Sequence, residues 1–343
     1  MIARLSSVFL TKFKRSMRKN VAILAGGDSG EYEVSINSSR VIRAHIDESL
    51  FRAFIILISG KLWEAVLDDG RRVPVDKNDF SIHTGEEKIG FDVVFMAIHG
   101  PPGEDGRMQG YLDMMGIPYT TCSHDTSALC FNKKFSSRYA RQLGILTAHT
   151  HYLRKGDRVH HEKILNEVGL PCFVKPLRSG SSLGVTKVKL EKDFASAIEK
   201  AFEEDTEIAV ESFLDGMELT CGILDSPERM HVFPLTEIVP VNEFFDYESK
   251  YTRGMADEIT PARIDEATEK LVKDTSVFLY RKFSCQGLVR FDFINTREGL
   301  FFIEANTVPG LSEASIVPQQ ANAMGMSTQA LFTAMLGAAL GGN

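Results

Sequence analysis

Leu288-Val-Arg-Phe-Asp-Phe-Ile294 and Leu300-Phe-Phe-Ile-Glu-Ala-Asn306 decide how this chain reads. Both runs are apolar and β-prone, and Asn295-Thr-Arg-Glu-Gly299 between them carries turn chemistry. Side chains on a strand alternate faces with period two. If Ile294 pairs with Leu300, then Arg290 and Asp292 share one face with Glu304 and Asn306. The opposite face holds Val289, Phe291, Phe293, Phe301, Ile303 and Ala305, a core-facing set. Two carboxylates and an amide oxygen are hard ligands suited to Mg²⁺, which borrows its remaining ligands from water and phosphate. A cross-strand salt-bridge ladder accounts for the same spacing. The continuation Thr307-Val-Pro-Gly310 turns sharply and offers backbone N–H groups beside the carboxylates. Metal, guanidinium and free amides together suit transfer of a phosphoryl group onto a carboxyl oxygen.

Upstream, the chain alternates strands with glycine-rich turns. Val21-Ala-Ile-Leu-Ala25 runs into Gly26-Gly-Asp-Ser-Gly30, and a helix is expected from Glu31 to about residue 47. Without the GxGxxG spacing this is a weak dinucleotide signal. On position alone Glu31 reads as an acid complementing a helix dipole, with ammonium binding as the other reading. Phe51–Ile58 is a second strand. Phe91–Ile98, apolar almost throughout, is a third, of the kind covered on both faces. It delivers His99 and Glu104 to a Gly- and Pro-rich loop ending at Gly110. A helix from about 127 to 142 carries Lys133. Lys175 ends an apolar strand and precedes Gly180-Ser181-Ser182, a loop that reads equally as a phosphate cover or a plain hairpin turn. Glu211 and Glu218 belong to two further strands. Residues 242–261 lack clean periodicity and read as a lid loop, since long loops in compact domains are usually functional. Helices are expected over 264–282 and 319–340.

At 343 residues two or three domains are expected, and a net charge of −7 argues against nucleic-acid or anionic-membrane binding. No stretch approaches the ~20 apolar residues of a membrane span. Five scattered cysteines without CxxC pairs favour reduced thiols and a cytoplasmic location. Residues 1–20 read as a basic extension, with Met17 able to serve as the start.

Five motifs in order then carry a resemblance: Gly26–Ser35, His99–Gly110, Val174–Val185, Phe245–Tyr251 and Glu304–Gly310. Together they resemble the ATP-grasp superfamily and, within it, the D-alanine–D-alanine ligase family, over nearly everything from residue 20 onward. The resemblance implies an α/β architecture of three domains, here 21–122 with a doubly wound parallel sheet, 123–210 and 211–343. ATP would lie between two antiparallel sheets of the last two. It implies two Mg²⁺ (or Mn²⁺) on Asp292, Glu304 and Asn306, and phosphate contacts from Lys133, Lys175 and Lys250. An adenine and ribose edge is implied at Glu211, Phe213, Leu214 and Glu218. Glu31 becomes the acid that holds the ammonium of the first D-alanine, reversing the helix-dipole reading. Ser181 and Tyr251 match a pair that closes the lid near Glu31. Arg290 and the Gly310 amide match the groups that stabilise the acyl phosphate and oxyanion. Ser315 receives the second carboxylate, and His99 lies near the first substrate. A homodimer is implied as well.

Departures are modest: Phe245 stands where many members carry Tyr, and Thr121–Thr126 is less glycine-rich than usual. Tyr251 favours an amine nucleophile, hence the dipeptide. Competing readings are a ligase using D-lactate or D-serine as nucleophile, and an ATP-binding regulator without catalysis. The regulator predicts damage among Lys175, Arg290, Asp292, Glu304 and Asn306, and all five are intact.

Overall fold

The computed structural model describes residues 18–85, 87–180, 183–240 and 256–341. Three sheets organise them. The first contains β1 (Lys19–Gly26), β2 (Phe51–Ser59), β3 (Leu62–Val66), β4 (Arg72–Asp76), β5 (Ser81–His83), β6 (Lys88–Gly90) and β7 (Val93–Met96) in the order 6-5-4-3-2-1-7. Parallel pairing between these strands is confined to β2-β1-β7. From β2 outward the sheet is an antiparallel meander. The sequence reading expected a doubly wound parallel sheet. The polar stretch after Phe51–Ile58 instead folds back through short hairpins, and these need no helical crossover.

Val21 through Ala25 are fully buried, as a strand covered on both faces should be. α1 (Tyr32–His45) follows β1, with Arg43 and His45 in its last turn complementing the helix dipole. The turn between them requires glycine. A Cβ on Gly27 would lie 2.6 Å from Ile98 Cγ2 and 3.0 Å from the Pro101 carbonyl, and the residue has φ +100°. The first turn is thereby pressed against the loop that carries His99.

α2 (Arg107–Met115) leads to a pair of helices, α3 (His124–Phe131) and α4 (Lys133–Gln142), where one helix was expected. Asn132 separates them. Its side chain accepts hydrogen bonds from the amides of Lys134 and Phe135, the geometry of an N-cap. That cap places Lys133 at the first position of α4.

The second sheet holds β8 (Thr150–Arg154), β9 (Cys172–Pro176), β10 (Thr186–Val188) and β11 (Glu207–Ser212) in the order 10-9-11-8, all antiparallel. α5 (His161–Val168) and α6 (Phe194–Glu204) bury Ile164, Val168, Phe194 and Ala201 against one of its faces.

The third sheet contains β12 (Gly216–Asp225), β13 (Met230–Val232), β14 (Thr236–Pro240), β15 (Ala256–Ile259), β16 (Leu288–Thr296) and β17 (Gly299–Asn306). The order is 15-14-12-16-17, with β13 on the end of β12. α7 (Glu266–Lys282) is capped by the Asp265 side chain on the Thr268 amide and packs Val272 and Leu279 onto the sheet's back. Two helices close the chain, α8 (Ile316–Ala323) and α9 (Thr328–Gly341), where a single one was expected. Gly325, at φ +84°, turns the chain between them. α9 packs onto the first sheet, where Phe332 meets Phe95 edge-on at 5.5 Å. No single helix among the described residues is long and apolar enough to cross a membrane; the bent pair α8–α9 passes that test only jointly, and its core side chains are buried.

β15 corrects the expectation of an irregular 242–261. Residues 256–259 pair with β14, Ile238 facing Glu258. Residues 242–255, with Phe245, Lys250 and Tyr251, lie outside the described residues, as do Ser181 and residues 1–17 of the N-terminal extension.

The β16–β17 hairpin has one register shift. Ile294 pairs with Phe301 and Phe293 with Phe302, but Asp292 pairs with Glu304 and Arg290 with Asn306, so Ile303 is the extra residue. The bulge has a chemical consequence. Without it, the register set at the turn would place Asp292 opposite Ile303 and separate the polar faces. With it, Arg290, Asp292, Glu304 and Asn306 share a face, as the sequence reading expected. The assumed pairing of Ile294 with Leu300 is corrected, and so is the core set. Phe302 is buried with Phe293, whereas Phe301 and Ile303 are half-buried, and Ile303 lines the cleft.

Candidate active site

Between the second and third sheets, and roofed by the loops of the first, lies a cleft of about 1180 Å³. Pockets for one drug-sized ligand run to roughly 300–1,000 Å³, so this space suits a nucleotide together with small substrates. Each expected site residue within the described segments lines it: Glu31, His99, Lys133, Lys175, Glu211, Phe213, Leu214, Glu218, Arg290, Asp292, Glu304, Asn306, Gly310 and Ser315.

The hairpin supplies a charged corner. Arg290 grips Asp292 through two parallel bonds, Nε to Oδ1 at 2.9 Å and Nη2 to Oδ2 at 2.8 Å. Asn306 Nδ2 donates to Asp292 Oδ2 at 2.9 Å and to Glu304 Oε1 at 3.5 Å. Lys133 Nζ meets Glu304 Oε2 at 2.8 Å and donates to the Ser179 carbonyl at 3.2 Å. Burial works to lower the pKa of both cations. For Lys133 the Glu304 carboxylate outweighs it, and for Arg290 the carboxylates of Asp292, Glu304 and Glu258 do, so both are held above their ordinary values. Lys133 and Arg290 thus remain charged at any physiological pH.

This donor set fits a hard divalent cation. Two carboxylates and an amide lie within hydrogen-bond distance of one another. Among the described residues no group of three His, Cys, Asp or Glu side chains has metal-holding geometry. A cation bound here would therefore take further ligands from phosphate and water, which is how Mg²⁺ is commonly held.

In the second sheet Lys175 Nζ lies 2.5 Å from Glu211 Oε2, and both side chains are nearly buried. Beyond them Phe213 meets Phe173 at 6.1 Å, and Lys187 sits 4.1 Å above the Phe213 ring. The result is an apolar slot edged by charge, the setting a purine requires.

The loops of the first sheet complete the cleft. Glu31 precedes α1 and is buried, and Ser29 Oγ accepts from its amide. Gly180 packs directly on the Glu31 carboxylate: a Cβ there would lie 2.2 Å from Oε2. Gly180 thus approaches Glu31 closely. His99 is buried with both ring nitrogens engaged, Nδ1 with the Val308 carbonyl at 3.0 Å and Nε2 with Ser38 Oγ at 3.2 Å. Burial lowers its pKa against the opposing pull of Glu31, so the ring is neutral. It joins the first sheet to the loop that follows β17.

That loop ends at Ser315, the residue preceding α8, whose Oγ lies 2.7 Å from Ser312 Oγ. Gly310 packs closely on it: a Cβ there would come within 2.8 Å of Ser315 Oγ, so the hydroxyl would have to move.

Four acids in the cleft were not assigned a site role from sequence: Glu104, Asp215, Glu237 and Glu258. Glu104 Oε2 accepts from the Gly100 amide at 3.0 Å, and its carboxyl is pushed up to about 8 by burial and by the charge of Glu31. Its position at a strand's C-terminal mouth was a usable signal. Glu258 had none, because the strand carrying it was not recognised.

Comparison with known proteins agrees with this geometry. Family models described as D-ala D-ala ligase N-terminus and D-ala D-ala ligase C-terminus match residues 20–122 and 140–337. A D-alanine–D-alanine ligase from Flavobacterium johnsoniae is 46% identical over 316 residues, covering 92% of this chain and 97% of the relative. Among solved structures, VanG D-Ala:D-Ser ligase from Enterococcus faecalis aligns with TM-score 0.81 and 32% identity over 93% of this chain and 99% of that one. D-alanyl-alanine synthetase A from Vibrio cholerae aligns with TM-score 0.84 and 27% identity over 94% and 99%. With an ATP-grasp arrangement of sheets around the cleft and ligase models matching most of its length, the chain belongs to the D-alanine–D-alanine ligase family.

Proposed function

We infer that this protein joins two D-alanines to D-alanyl-D-alanine with consumption of ATP, for peptidoglycan precursor synthesis. The observation that carries the reading is the single cleft in which Glu31 beneath the Gly180 loop lies with the corner formed by Arg290, Asp292, Glu304, Asn306 and Lys133. An amino acid held by its ammonium at Glu31 would bring its carboxylate toward Arg290 and Lys133 in that corner.

A carboxylate is a poor electrophile, and phosphorylation converts it to an acyl phosphate with a good leaving group. Lys133 and Lys175, with Lys250, would neutralise phosphate charge that otherwise repels the incoming carboxylate. Glu211, Phe213 and Leu214 would hold the adenine, and Glu218 the ribose. Asp292, Glu304 and Asn306 would hold two Mg²⁺ or Mn²⁺, which polarise the transferred phosphoryl group when bound. The carboxylate oxygen of the first D-alanine attacks the γ-phosphorus and ADP departs. The second D-alanine, its carboxylate on Ser315, gives up an ammonium proton to solvent and attacks the acyl carbon as the free amine, and its nitrogen loses a second proton as the amide forms. Arg290 and the Gly310 amide stabilise the oxyanion, a donor of this kind being worth about 3 kcal/mol. Phosphate leaves and the amide bond remains. Acyl phosphates hydrolyse, which gives the Gly180 loop, with Ser181 and Tyr251, a reason to close.

We further place the enzyme in the cytoplasm, as a homodimer that binds neither nucleic acid nor membrane. Five buried thiols and the net charge of −7 support this setting. The division into domains at 122/123 and 210/211 belongs to the same reading, although the second boundary cuts β11 (Glu207–Ser212), and the second and third sheets part between β11 and β12.

The test is ADP release from purified protein with Mg-ATP and D-alanine, L-alanine, or D-alanine plus D-lactate or D-serine, with the product mass determined. Release with D-alanine alone, with the mass of the dipeptide, is expected, and Glu304→Gln should abolish it. Product only with D-lactate or D-serine would move the specificity. ATP binding without release would refute the ligase reading in favour of a regulator.

A further inference from the structure

Ser315, which would receive the second carboxylate, is the N-cap residue of α8. The inward face of that helix holds Val317, Gln320 and Ala321, and all three are fully buried. Val317 and Ala321 belong to the core cluster that contains Leu224 and Phe233. The residue between them is a glutamine. A buried amide on an apolar face needs hydrogen-bond partners, and these show what the residue does.

Gln320 meets an interruption in the third sheet. β12 pairs with β14 through Glu218, Leu219 and Thr220, and with β13 through Ile223, Leu224 and Asp225. Between those stretches Cys221 and Gly222 face no residue of either strand, and Phe233, just past β13, reaches the Gly222 carbonyl at 3.0 Å. The glutamine amide fills the gap as a strand's peptide groups would. Its Oε1 accepts from the Gly222 amide at 3.1 Å, and its Nε2 donates to the Thr220 carbonyl at 3.0 Å and to Thr236 Oγ1 at 3.1 Å. Gly222 lets the amide come this close: a Cβ there would lie 2.7 Å from Gln320 Oε1 and 2.8 Å from Phe233 Cδ2.

The place of contact bears on the chemistry. Across β12 and β16, Gly222 pairs with Arg290 and Thr220 pairs with Asp292. One side chain therefore joins the helix that carries Ser315 to the strand residues paired with the proposed oxyanion donor and metal ligand. A second D-alanine would place its carboxylate on Ser315 and its nitrogen at the acyl carbon beside Arg290. The spacing between those two points decides whether the nitrogen is within reach of the carbon. We propose that Gln320 is a positioning residue of the second-substrate subsite: by filling the gap in β12 it fixes α8, and Ser315 with it, against the strand pair that carries Arg290. The proposal rests on the ligase reading above. Glu31 belongs to the loops of the first sheet, and Lys175 and Glu211 to the second sheet, so the first substrate and the nucleotide do not depend on this joint.

The experiment compares wild type with Gln320→Met, which keeps the side chain's length and removes its hydrogen bonds, and with Thr236→Val, which removes one of the amide's acceptors. Coupled ADP release gives kcat and the Michaelis constants for ATP and for each D-alanine, and urea denaturation gives stability. In Gln320→Met the second D-alanine constant should rise about tenfold and kcat should fall, with the constants for ATP and the first D-alanine unchanged. Thr236→Val should move the second constant in the same direction by less. Lost stability with an intact second constant in both variants would make Gln320 a core contact only and overturn the proposal. A parallel rise in the constants for ATP and both D-alanines would overturn it as well. Should Gln320→Met fail to fold, Thr236→Val decides, and a wild-type second constant there overturns the role. Wild type that releases no ADP with D-alanine overturns the ligase reading itself and this proposal with it. Active wild type beside an indifferent Gln320→Met overturns the proposal alone.

Discussion

Gly180→Ala is the most direct test of how the loop after β9 meets Glu31. The added Cβ would lie 2.2 Å from Glu31 Oε2 and 2.9 Å from its Cδ, whereas ordinary contact begins at 3.4 Å. Carboxylate and loop must therefore part by roughly 1 Å, and a misplacement of that size costs on the order of 100-fold in rate. Glu31 is buried, which limits how far its carboxylate can retreat. If Glu31 holds the first D-alanine, kcat/KM for that substrate should fall about 100-fold, roughly 2.7 kcal/mol on the barrier. The melting temperature should barely move, since the strain is confined to the edge of an open cleft. Coupled ADP-release kinetics across a wide D-alanine range separates the two Michaelis constants, and the first should bear the change. Glu31→Asp withdraws the carboxylate by one methylene, so adding Gly180→Ala to it should cost far less than in the wild-type background. A Gly180→Ala enzyme with the wild-type first-substrate constant would refute the placement of Glu31 under this loop.

Two further outcomes follow from buried charge. Lys175→Met leaves Glu211 in the second sheet without its 2.5 Å partner, and orphaning one member of a buried pair costs about 3 kcal/mol; urea denaturation should show that loss, and Lys175→Met/Glu211→Gln should recover most of it. Glu104 titrates at about 8 in the folded protein against an ordinary 4.5, so the folded state binds its proton more tightly than the unfolded chain does. Its contribution to stability is present in full below the ordinary value and is lost as pH rises toward the folded one. Glu104→Gln should accordingly flatten the decline in urea midpoint between about pH 5 and pH 8, and an unaltered slope would show that the carboxyl is not protonated there.

Much of this site was legible because strand periodicity is a local property. Alternation alone put Arg290 with Asp292 and Glu304 with Asn306; joining the two pairs on one face took an assumed pairing of Ile294 with Leu300. The pairing itself was not legible: the assumed register is off by one at Ile294, and only the bulge at Ile303 returns the carboxylates to a common face. A bulge depends on packing between strands, and neither strand's sequence announces it. Helix breaks were closer to legible, since Asn132 before Lys133-Lys134 is an N-cap signal inside a helical pattern. The antiparallel meander β3–β6 was missed because its strands are short and polar on one side, and they take their order from hairpins rather than from hydrophobic runs.

The residues least legible are those whose role depends on contacts far apart in sequence. In the sequence His99 is a polar residue on a loop, matched by resemblance to a place near the first substrate. In the fold its two nitrogens are spent on Ser38 and on Val308, 209 positions away, so it holds the first sheet to the loop bearing Gly310. A buried, neutral ring with both nitrogens engaged has no proton to exchange without breaking that joint. The geometry therefore makes His99 a positioning residue. It links the Glu31 side of the cleft, which would fix the first substrate, to the Gly310–Ser315 turn that would receive the second.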